Sequence, residues 1–198
     1  MLIAMAALED RPQMQVEDFE ALAEFAAHLD DGLSLEFVGG KVGVKAMPDG
    51  THGTIIAWLI RIFAEKVPDL WFYPEQGLKI ERYRAGRARP DGVLARSAAF
   101  VGKGEWAESD QVLLAVEVTS FDRDSHRRDC EDKVAAYGLT EIPIYLVIDR
   151  AVAKVTAYSR PLNGRYGYVE VYDMGEQVAL PEPVSLTLDT EPLQEWID

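Results

Sequence analysis

The chain contains one cysteine, Cys130, among its 198 residues. A single cysteine excludes an internal disulfide bond and predicts a reducing compartment. Long hydrophobic runs are also missing. The opening residues 1–8 are apolar, but they are too short to span a bilayer and no basic segment of a secretory signal precedes them. The sequence therefore predicts a soluble, cytoplasmic protein without a membrane partner.

Basic residues are scarce, with 20 Lys and Arg against 34 Asp and Glu, and the net charge is −14. This charge argues against DNA binding by the whole surface, because phosphate contact usually needs a basic surface. The acids are concentrated at the ends: residues 9–36 and 166–198 each carry −8, whereas residues 37–165 carry +2. One basic strip in the middle part is either a phosphate-binding surface or a solvated, charged hairpin. The strip comprises Lys79, Arg82, Arg84, Arg87, Arg89, Arg96 and Lys103.

An apolar run of strand length, Val112 to Ser120, contains one carboxylate, Glu117. A run without polar alternation is typical of a strand that is buried on both faces. A carboxylate inside such a strand must be paired, protonated or bound to a cation, because an isolated buried charge is very costly. A buried ion pair or a place at the margin of the sheet would explain Glu117 as well as a metal site would.

A second acid, Asp91, follows Pro90 and precedes Gly92. Pro90 belongs at a strand start or a sheet edge, because proline has no N–H to donate to a ladder. The residues after Gly92 are typical of a short strand, although Pro-Asp-Gly is also common in turns. Neighbouring strands lie about 5 Å apart. If Asp91 and Glu117 lie on adjacent strands and on the same face, they can therefore share one divalent cation.

A third candidate, Lys133, lies on a segment that is predicted to be helical. Cys130, Val134 and Tyr137 of this segment follow the i, i+4, i+7 spacing of a buried helix face, and Lys133 borders that face. A lysine in this position can reach over the sheet and stabilise the negative charge that develops during phosphodiester hydrolysis. A surface lysine that pairs with acids of its own helix is the alternative.

Several motifs of the middle part occur in an order and spacing that are fairly specific. They are Pro90-Asp91, Glu117-Val118-Thr119-Ser120, Asp132-Lys133 with Tyr137, and the run Ile142 to Asp149, preceded upstream by Leu35 to Lys41 and by His52. In this arrangement the chain resembles the Uma2 family, which belongs to the PD-(D/E)XK nuclease superfamily. The resemblance spans residues 36–149. It implies a restriction-endonuclease-like fold and an endonuclease that hydrolyses DNA with Mg²⁺ or Mn²⁺.

The resemblance also implies a role for each site residue. Asp91 and Glu117 bind the metal together with the backbone carbonyl of Val118, and Lys133 assists the attacking water. The usual lysine of the superfamily, two residues after the glutamate, is replaced here by Thr119, and the resemblance implies that its role has moved to Lys133. In-line attack that leaves 5′-phosphate ends is implied as well, and a homodimer is expected by analogy.

Two other functions stay open at this point. The excess of acidic residues and the absence of the usual strand lysine favour a catalytically silent binding or regulatory module with the same fold. A different metal-dependent hydrolase that uses the same acids is the third interpretation.

Two further residues are accessory candidates for the site. Glu36 lies on the first strand of a predicted hairpin around Gly39-Gly40, where it either reaches the metal site or faces solvent. His52 either orients an acid, contacts phosphate, or is a capping or surface histidine in the first turn of the second predicted helix. The charged run His126-Arg127-Arg128 is either a substrate contact or a salt-bridged surface.

The apolar pattern predicts one α/β domain over residues 1–198, with a mixed central sheet flanked by helices. The core is expected at residues 33–160, followed by an acidic extension at residues 166–198 that adds a β-hairpin region. Strands at residues 70–73 and 76–81 are expected to lead into the Asp91 strand as an antiparallel meander.

The segments around these strands are predicted as well. Residues 100–110 are expected to form a loop. Two of the predicted helices precede these strands, one from Val16 to Asp30 and one from Asp49 to Lys66. The buried stripe of the first helix is predicted to consist of Phe19, Leu22, Ala23, Phe25, Ala26 and Leu29.

Overall fold

The computed structural model describes residues 14–30, 32–45, 47–80, 85–119 and 126–197. These residues form two β-sheets, a separate β-hairpin and four α-helices. This mixed α/β architecture confirms the predicted fold class. None of the described helices is both long enough and apolar enough to cross a lipid bilayer. The predicted features at residues 1–8, Arg82, Arg84 and Ser120 lie outside the described residues.

The two long helices agree with their predicted bounds. The carboxylate of Asp49 accepts a hydrogen bond of 2.8 Å from the backbone N–H of His52, and it thereby caps the second helix. The third helix is preceded by a turn of π-helix, Arg128–Asp132, and π turns are frequent at functional sites. The α-helices are α1 (Val16–Leu29), α2 (Gly50–Lys66), α3 (Lys133–Leu139) and α4 (Glu191–Trp196).

The main sheet has six strands in the order β11-β10-β9-β8-β6-β3. β8 and β9 are parallel and the other neighbours are antiparallel, so the sheet is mixed as predicted. The strands of the chain are β1 (Leu35–Val38), β2 (Lys41–Val44), β3 (Leu70–Pro74), β4 (Gly77–Ile80), β5 (Gly86–Ala88), β6 (Gly92–Arg96), β7 (Trp106–Glu108), β8 (Val112–Val118), β9 (Ile144–Asp149), β10 (Lys154–Leu162), β11 (Arg165–Asp173), β12 (Gln177–Leu180) and β13 (Leu186–Asp189).

The second sheet, in the order β2-β1-β5-β4-β7, corrects two predictions. The predicted meander is wrong, because β3 pairs directly with β6 whereas β4 and β5 form a hairpin in the second sheet. The predicted loop at residues 100–110 is wrong at Trp106–Glu108, which pairs in parallel with β4. This pairing needs Gly77, since a Cβ there would lie 2.4 Å from the backbone oxygen of Glu105.

Apolar layers cover both faces of the main sheet. On one face, Leu114 and Val116 of β8 pack against α2 and the C-terminal hairpin β12–β13. On the other face, Ala115 packs against α3. Because side chains alternate along a strand, Glu117 lies on the same face as Ala115 and thus on the side of Lys133.

The first helix buries a narrower stripe than predicted. Phe19 and two alanines pack on β1, but Leu22, Phe25 and Leu29 are 38%, 61% and 70% exposed. The helix lies against one small apolar cluster that includes Leu35 and Phe37 of β1, so only one line of side chains is covered. Helical spacing alone cannot distinguish such a narrow stripe from a wide one.

Gly92 is the position at which the fold leaves no room beside Asp91. A Cβ at this residue would lie 2.0 Å from Cζ of Phe72, a partly buried ring that stacks on Phe63. We expect Gly92→Ala to reduce the free energy of unfolding by about 1–3 kcal/mol through overpacking. The matched control is Gly53→Ala in α2, where a Cβ meets open space and is expected to stabilise the helix by about 0.5–1 kcal/mol. Urea unfolding measures the free energy of unfolding of both variants. Equal changes in the two variants would contradict the overpacking at Gly92.

Candidate active site

The pairing of β6 with β8 determines where the two predicted metal ligands lie. Gly92 is opposite Val116, so continuing the register by one residue places Asp91 opposite Glu117. Residues directly opposite in an antiparallel pair share a face, with Cβ atoms about 4.5–5.5 Å apart. Both side chains are buried, and both line one cleft. The two carboxylates therefore converge on one place.

The carboxylate of Asp91 is held by three donors. Its Oδ1 lies 2.7 Å from Nζ of Lys45. Its Oδ2 lies 3.0 Å from Nε2 of His52 and accepts a hydrogen bond of 2.7 Å from the backbone N–H of Val118. Burial by itself would raise the pKa of Asp91, but Lys45 and His52 outweigh it and hold the pKa well below its ordinary value. Asp91 is therefore ionised at neutral pH.

The ammonium group of Lys133 lies among three carboxylates. Its Nζ donates a hydrogen bond of 2.7 Å to Oε1 of Glu117, and it lies 2.9 Å from Oε1 of Glu36 and 3.1 Å from Oδ1 of Asp129. Burial would lower the pKa of Lys133, but these acids outweigh it and raise the pKa well above its ordinary value. The alternative of a surface lysine is wrong, since the side chain is 1% exposed. It is nevertheless ion-paired, in the interior.

Glu117 is the acid that the surrounding cations compensate least. Burial raises its pKa well above the ordinary value, and Asp129 and Asp91 raise it further despite the attraction of Lys133. Glu117 shares the ammonium group of Lys133 with Glu36 and Asp129, whereas Arg128 pairs with Glu36 and Lys45 pairs with Asp91. The site therefore holds a buried carboxylate whose charged form needs an additional cation.

This arrangement predicts that Glu117→Gln stabilises the protein in the presence of a metal chelator. In the unfolded chain the carboxyl group ionises near its ordinary pKa of about 4.3, whereas the folded pKa is raised. The folded state therefore loses stability as the pH rises above the unfolded pKa. At neutral pH we expect the substitution to add about 1 kcal/mol, or about 2–4 °C in Tm.

The gain from Glu117→Gln should vanish below the unfolded pKa of about 4, where the carboxyl group is protonated in both states. Thermal unfolding of the wild type and of Glu117→Gln, from neutral pH to below about pH 4, measures the gain in stability. A gain that persists unchanged at the acid end would contradict the explanation.

Glu36 lies in the site and does not face solvent. Its side chain is 0% exposed. Oε1 accepts a hydrogen bond of 2.7 Å from the backbone N–H of Arg89, and Oε2 lies 3.2 Å from Nε of Arg128. Burial would raise the pKa of Glu36, but Lys133 and Lys45 lower it below its ordinary value. The solvent-facing interpretation of this strand glutamate is therefore wrong.

His52 is placed by the cap of α2. The carboxylate of Asp49 accepts a hydrogen bond from the backbone N–H of His52. It also accepts hydrogen bonds from both terminal nitrogens of Arg150, at 3.1 and 2.9 Å. The imidazole then projects from the first turn of the helix towards Asp91. Of the interpretations that the sequence left open, the structure places His52 where it orients an acid.

Val118, the last residue of β8, and Thr119, which follows it, lie beside these acids. The N–H and C=O of one strand residue point to the same side, so the carbonyl of Val118 points to the side of β8 on which its N–H donates to Asp91. Thr119, which replaces the usual lysine, donates to Oδ1 of Asp149 at 3.2 Å and accepts from the backbone N–H of Arg150 at 3.1 Å. The threonine joins β8 to the end of β9, and the amine nearest Glu117 is that of Lys133.

The basic strip of the sequence is not one continuous free surface. Lys79 pairs with Glu108 at 2.7 Å, Arg87 is buried and pairs with Glu20, and Arg89 pairs with Glu105. These three cations of the strip are thus already engaged with acids, and none of the strip residues that the structure describes is among those that line the cleft. Arg127 is exposed and lies 4.0 Å from Asp132, which agrees with a salt-bridged surface.

Sequence reasoning did not assign Lys45, Asp129 and Arg150 to the cleft, although all three line it. Lys45 follows β2 and is opposite Ser34 in the hairpin. Since Ser34 and Glu36 are two residues apart in the strand, Lys45 lies on the same face as Glu36. The register of the hairpin could therefore have indicated that Lys45 lies near the site. Asp129 is four residues before Lys133, a spacing that predicts the observed pair but not its burial. The contact of Arg128 with Glu36 had no local signal, because the two are far apart in the chain.

Comparison with known proteins identifies the family and the fold. Residues 16–191 match the model of the Uma2 family, which is described as "Putative restriction endonuclease". A search of curated proteins gave no match. The crystal structure of a protein from Anabaena variabilis, described as a "putative nuclease belonging to DUF820", superposes with a TM-score of 0.67 at 17% identity, covering 93% of this chain and 99% of that one. At this identity the superposition shows a shared fold. Because the family model matches most of its length, the chain belongs to the Uma2 family.

Proposed function

We propose that the chain is an endonuclease that hydrolyses phosphodiester bonds of DNA with Mg²⁺ or Mn²⁺. One observation carries the proposal: Asp91 and Glu117 lie opposite each other on neighbouring strands and line one cleft, with Nζ of Lys133 2.7 Å from Glu117. Membership of a family described as restriction endonucleases supports the reaction class.

The donor atoms of the cleft fit a hard divalent cation. Asp91 and Glu117 offer carboxylate oxygens and Val118 offers a backbone carbonyl, and Mg²⁺ binds through one or two carboxylates while it keeps several waters. The incompletely compensated charge of Glu117 favours a cation at this position. When bound, the metal would polarise a phosphoryl oxygen and lower the pKa of a bound water.

The other side chains of the cleft would act on charge and orientation. His52 and the N–H of Val118 fix the carboxylate of Asp91 from one side. Lys133 brings a permanent positive charge next to Glu117, where it would stabilise negative charge that develops on the phosphate and the attacking water. Lys133 itself is held in place by Glu36 and Asp129.

Binding of an anionic backbone needs cations at the cleft despite the net charge of −14. Lys45, Arg128 and Arg150 line the cleft together with Lys133. Part of the acidic excess comes from residues 166–198, whose hairpin β12–β13 packs on the opposite face of the main sheet. We infer that DNA approaches on the face that carries α3.

A second candidate is a catalytically silent DNA-binding module. Both oxygens of Asp91 are engaged by donors of the chain, and Lys133 is held by three carboxylates. In this interpretation Lys45 and Lys133 take the place of a metal, and the ion-paired cleft serves only to bind.

Nicking of supercoiled plasmid DNA separates the two candidates. The nuclease should convert supercoiled to open-circular DNA with Mn²⁺ or Mg²⁺ and should stop when EDTA is added. Tight DNA binding in a gel-shift assay without any nicking would favour the silent module. Nicking that persists in EDTA would contradict the metal-dependent mechanism.

A further inference from the structure

A second group of metal-ligand atoms lies next to the acidic cleft. Nε2 of His126 is 2.8 Å from Oδ2 of Asp149, and Sγ of Cys130 is 3.7 Å from that nitrogen and 3.9 Å from that oxygen. Within the described parts of the chain, these residues form the single set of three His, Cys, Asp or Glu side chains whose ligand atoms all lie within 4.8 Å of one another.

The spacing of these atoms approaches that of a zinc site. With Zn–ligand distances of about 2.0–2.3 Å and tetrahedral angles, the ligand atoms of such a site are about 3.4–3.6 Å apart. The two distances from Cys130 Sγ exceed this range by a few tenths of an ångström. His126 and Asp149, which are now hydrogen-bonded at 2.8 Å, would have to separate by about half an ångström.

The surroundings hold the aspartate in the orientation of a ligand. Oδ1 of Asp149 accepts hydrogen bonds from the hydroxyl of Thr119 at 3.2 Å and from the backbone N–H of Ala151 at 3.0 Å. Oδ2 is thereby left facing His126 and Cys130. Contacts that fix the free oxygen of a ligating carboxylate are characteristic of metal sites.

The helical side of the group is fixed as well. Cys130 lies on the π turn Arg128–Asp132, whose backbone oxygen at Asp129 accepts a hydrogen bond of 2.7 Å from the hydroxyl of the buried Tyr145. Tyr145 and Asp149 both belong to β9. The same strand therefore holds the turn and supplies one of the three ligands.

We propose that His126, Cys130 and Asp149 bind a zinc ion, with the fourth coordination position open to water. Thiolate and imidazole ligands select zinc over magnesium, whereas the oxygen donors of the neighbouring cleft select magnesium or manganese. The chain thus carries two metal sites of different chemical preference. The zinc ion joins the end of β9 to the turn that carries Asp129 and precedes Lys133, and it stabilises that turn.

Cobalt substitution tests the zinc site directly. One equivalent of Co²⁺ added to the full-length, metal-free protein should produce the near-ultraviolet charge-transfer band of a cobalt–thiolate bond, and Zn²⁺ should abolish that band. Cys130→Ser should remove the band. His126→Gln and Asp149→Asn should each weaken Zn²⁺ binding at least about tenfold, as the loss of a group that supports a metal site typically does.

Two controls separate this site from other acids of the chain. Glu131→Gln removes an exposed carboxylate next to Cys130, and Asp91→Asn disables the oxygen-donor cleft; both should keep the cobalt–thiolate band. Circular dichroism checks that each variant is folded. If Asp149→Asn does not fold, the Cys130→Ser variant decides the outcome. A missing band in wild type, or a band that His126→Gln and Asp149→Asn leave unchanged, would overturn the proposal.

Discussion

Replacement of Lys133 by methionine is expected to lower the free energy of unfolding by about 3–5 kcal/mol, because removing one partner of a buried ion pair leaves uncompensated charge in the interior. Lys133 is 1% exposed and its ammonium group contacts Glu117, Glu36 and Asp129. Methionine has a similar volume, so the loss reports charge more than packing. Denaturant unfolding at neutral pH measures the difference.

The matched control is Lys79→Met. Lys79 also makes an ion pair of 2.7 Å, with Glu108, but both side chains are exposed, and such pairs contribute about 0–1 kcal/mol. Adding Glu117→Gln to Lys133→Met should recover part of the loss, since one of the uncompensated carboxylates is then removed. Equal effects of the two lysine substitutions would contradict the buried network.

The largest expected effect on activity is that of Asp91→Asn and of Glu117→Gln. Each should reduce Mn²⁺-dependent nicking at least about 100-fold, because even outer-shell substitutions at metal sites cost about 10–100-fold. Initial rates of plasmid nicking at saturating Mn²⁺ measure the effect. Since Glu117→Gln is also expected to stabilise the fold, its loss of activity cannot be attributed to unfolding.

Controls for the nicking assay come from the exposed acids. Asp110→Asn and Glu131→Gln make the same chemical changes outside the cleft and should nick DNA at the wild-type rate. Wild-type activity in Asp91→Asn or Glu117→Gln would assign the cleavage to another site or to a contaminating nuclease.

Sequence reasoning predicted those parts of the fold that local pattern determines. Continuous apolar runs identified β8 and β9, and the cap at Asp49 identified the start of α2. Asp91 and Glu117 were predicted to share a cation if they lie on adjacent strands and on the same face, and β6 and β8 are such neighbouring strands. Their catalytic role stays a prediction.

The remaining features depend on contacts between residues far apart in the chain. Nothing local indicates that β4 leaves the main sheet after β3, or that Trp106–Glu108 forms a strand with it. Nothing local indicates that β1 is buried on both faces, and this double burial places Glu36 in the interior. The burial of Lys133 likewise follows from the position of α3 over the acids of two sheets.

Calorimetric titration of Mn²⁺ into Cys130→Ser protein tests the central claim, that Asp91 and Glu117 share one divalent cation. This background removes the thiolate of the proposed zinc site. We predict one Mn²⁺ per chain, at least about tenfold weaker binding after either Asp91→Asn or Glu117→Gln, and unchanged binding after Asp110→Asn. Manganese affinity that neither cleft substitution alters would contradict the account.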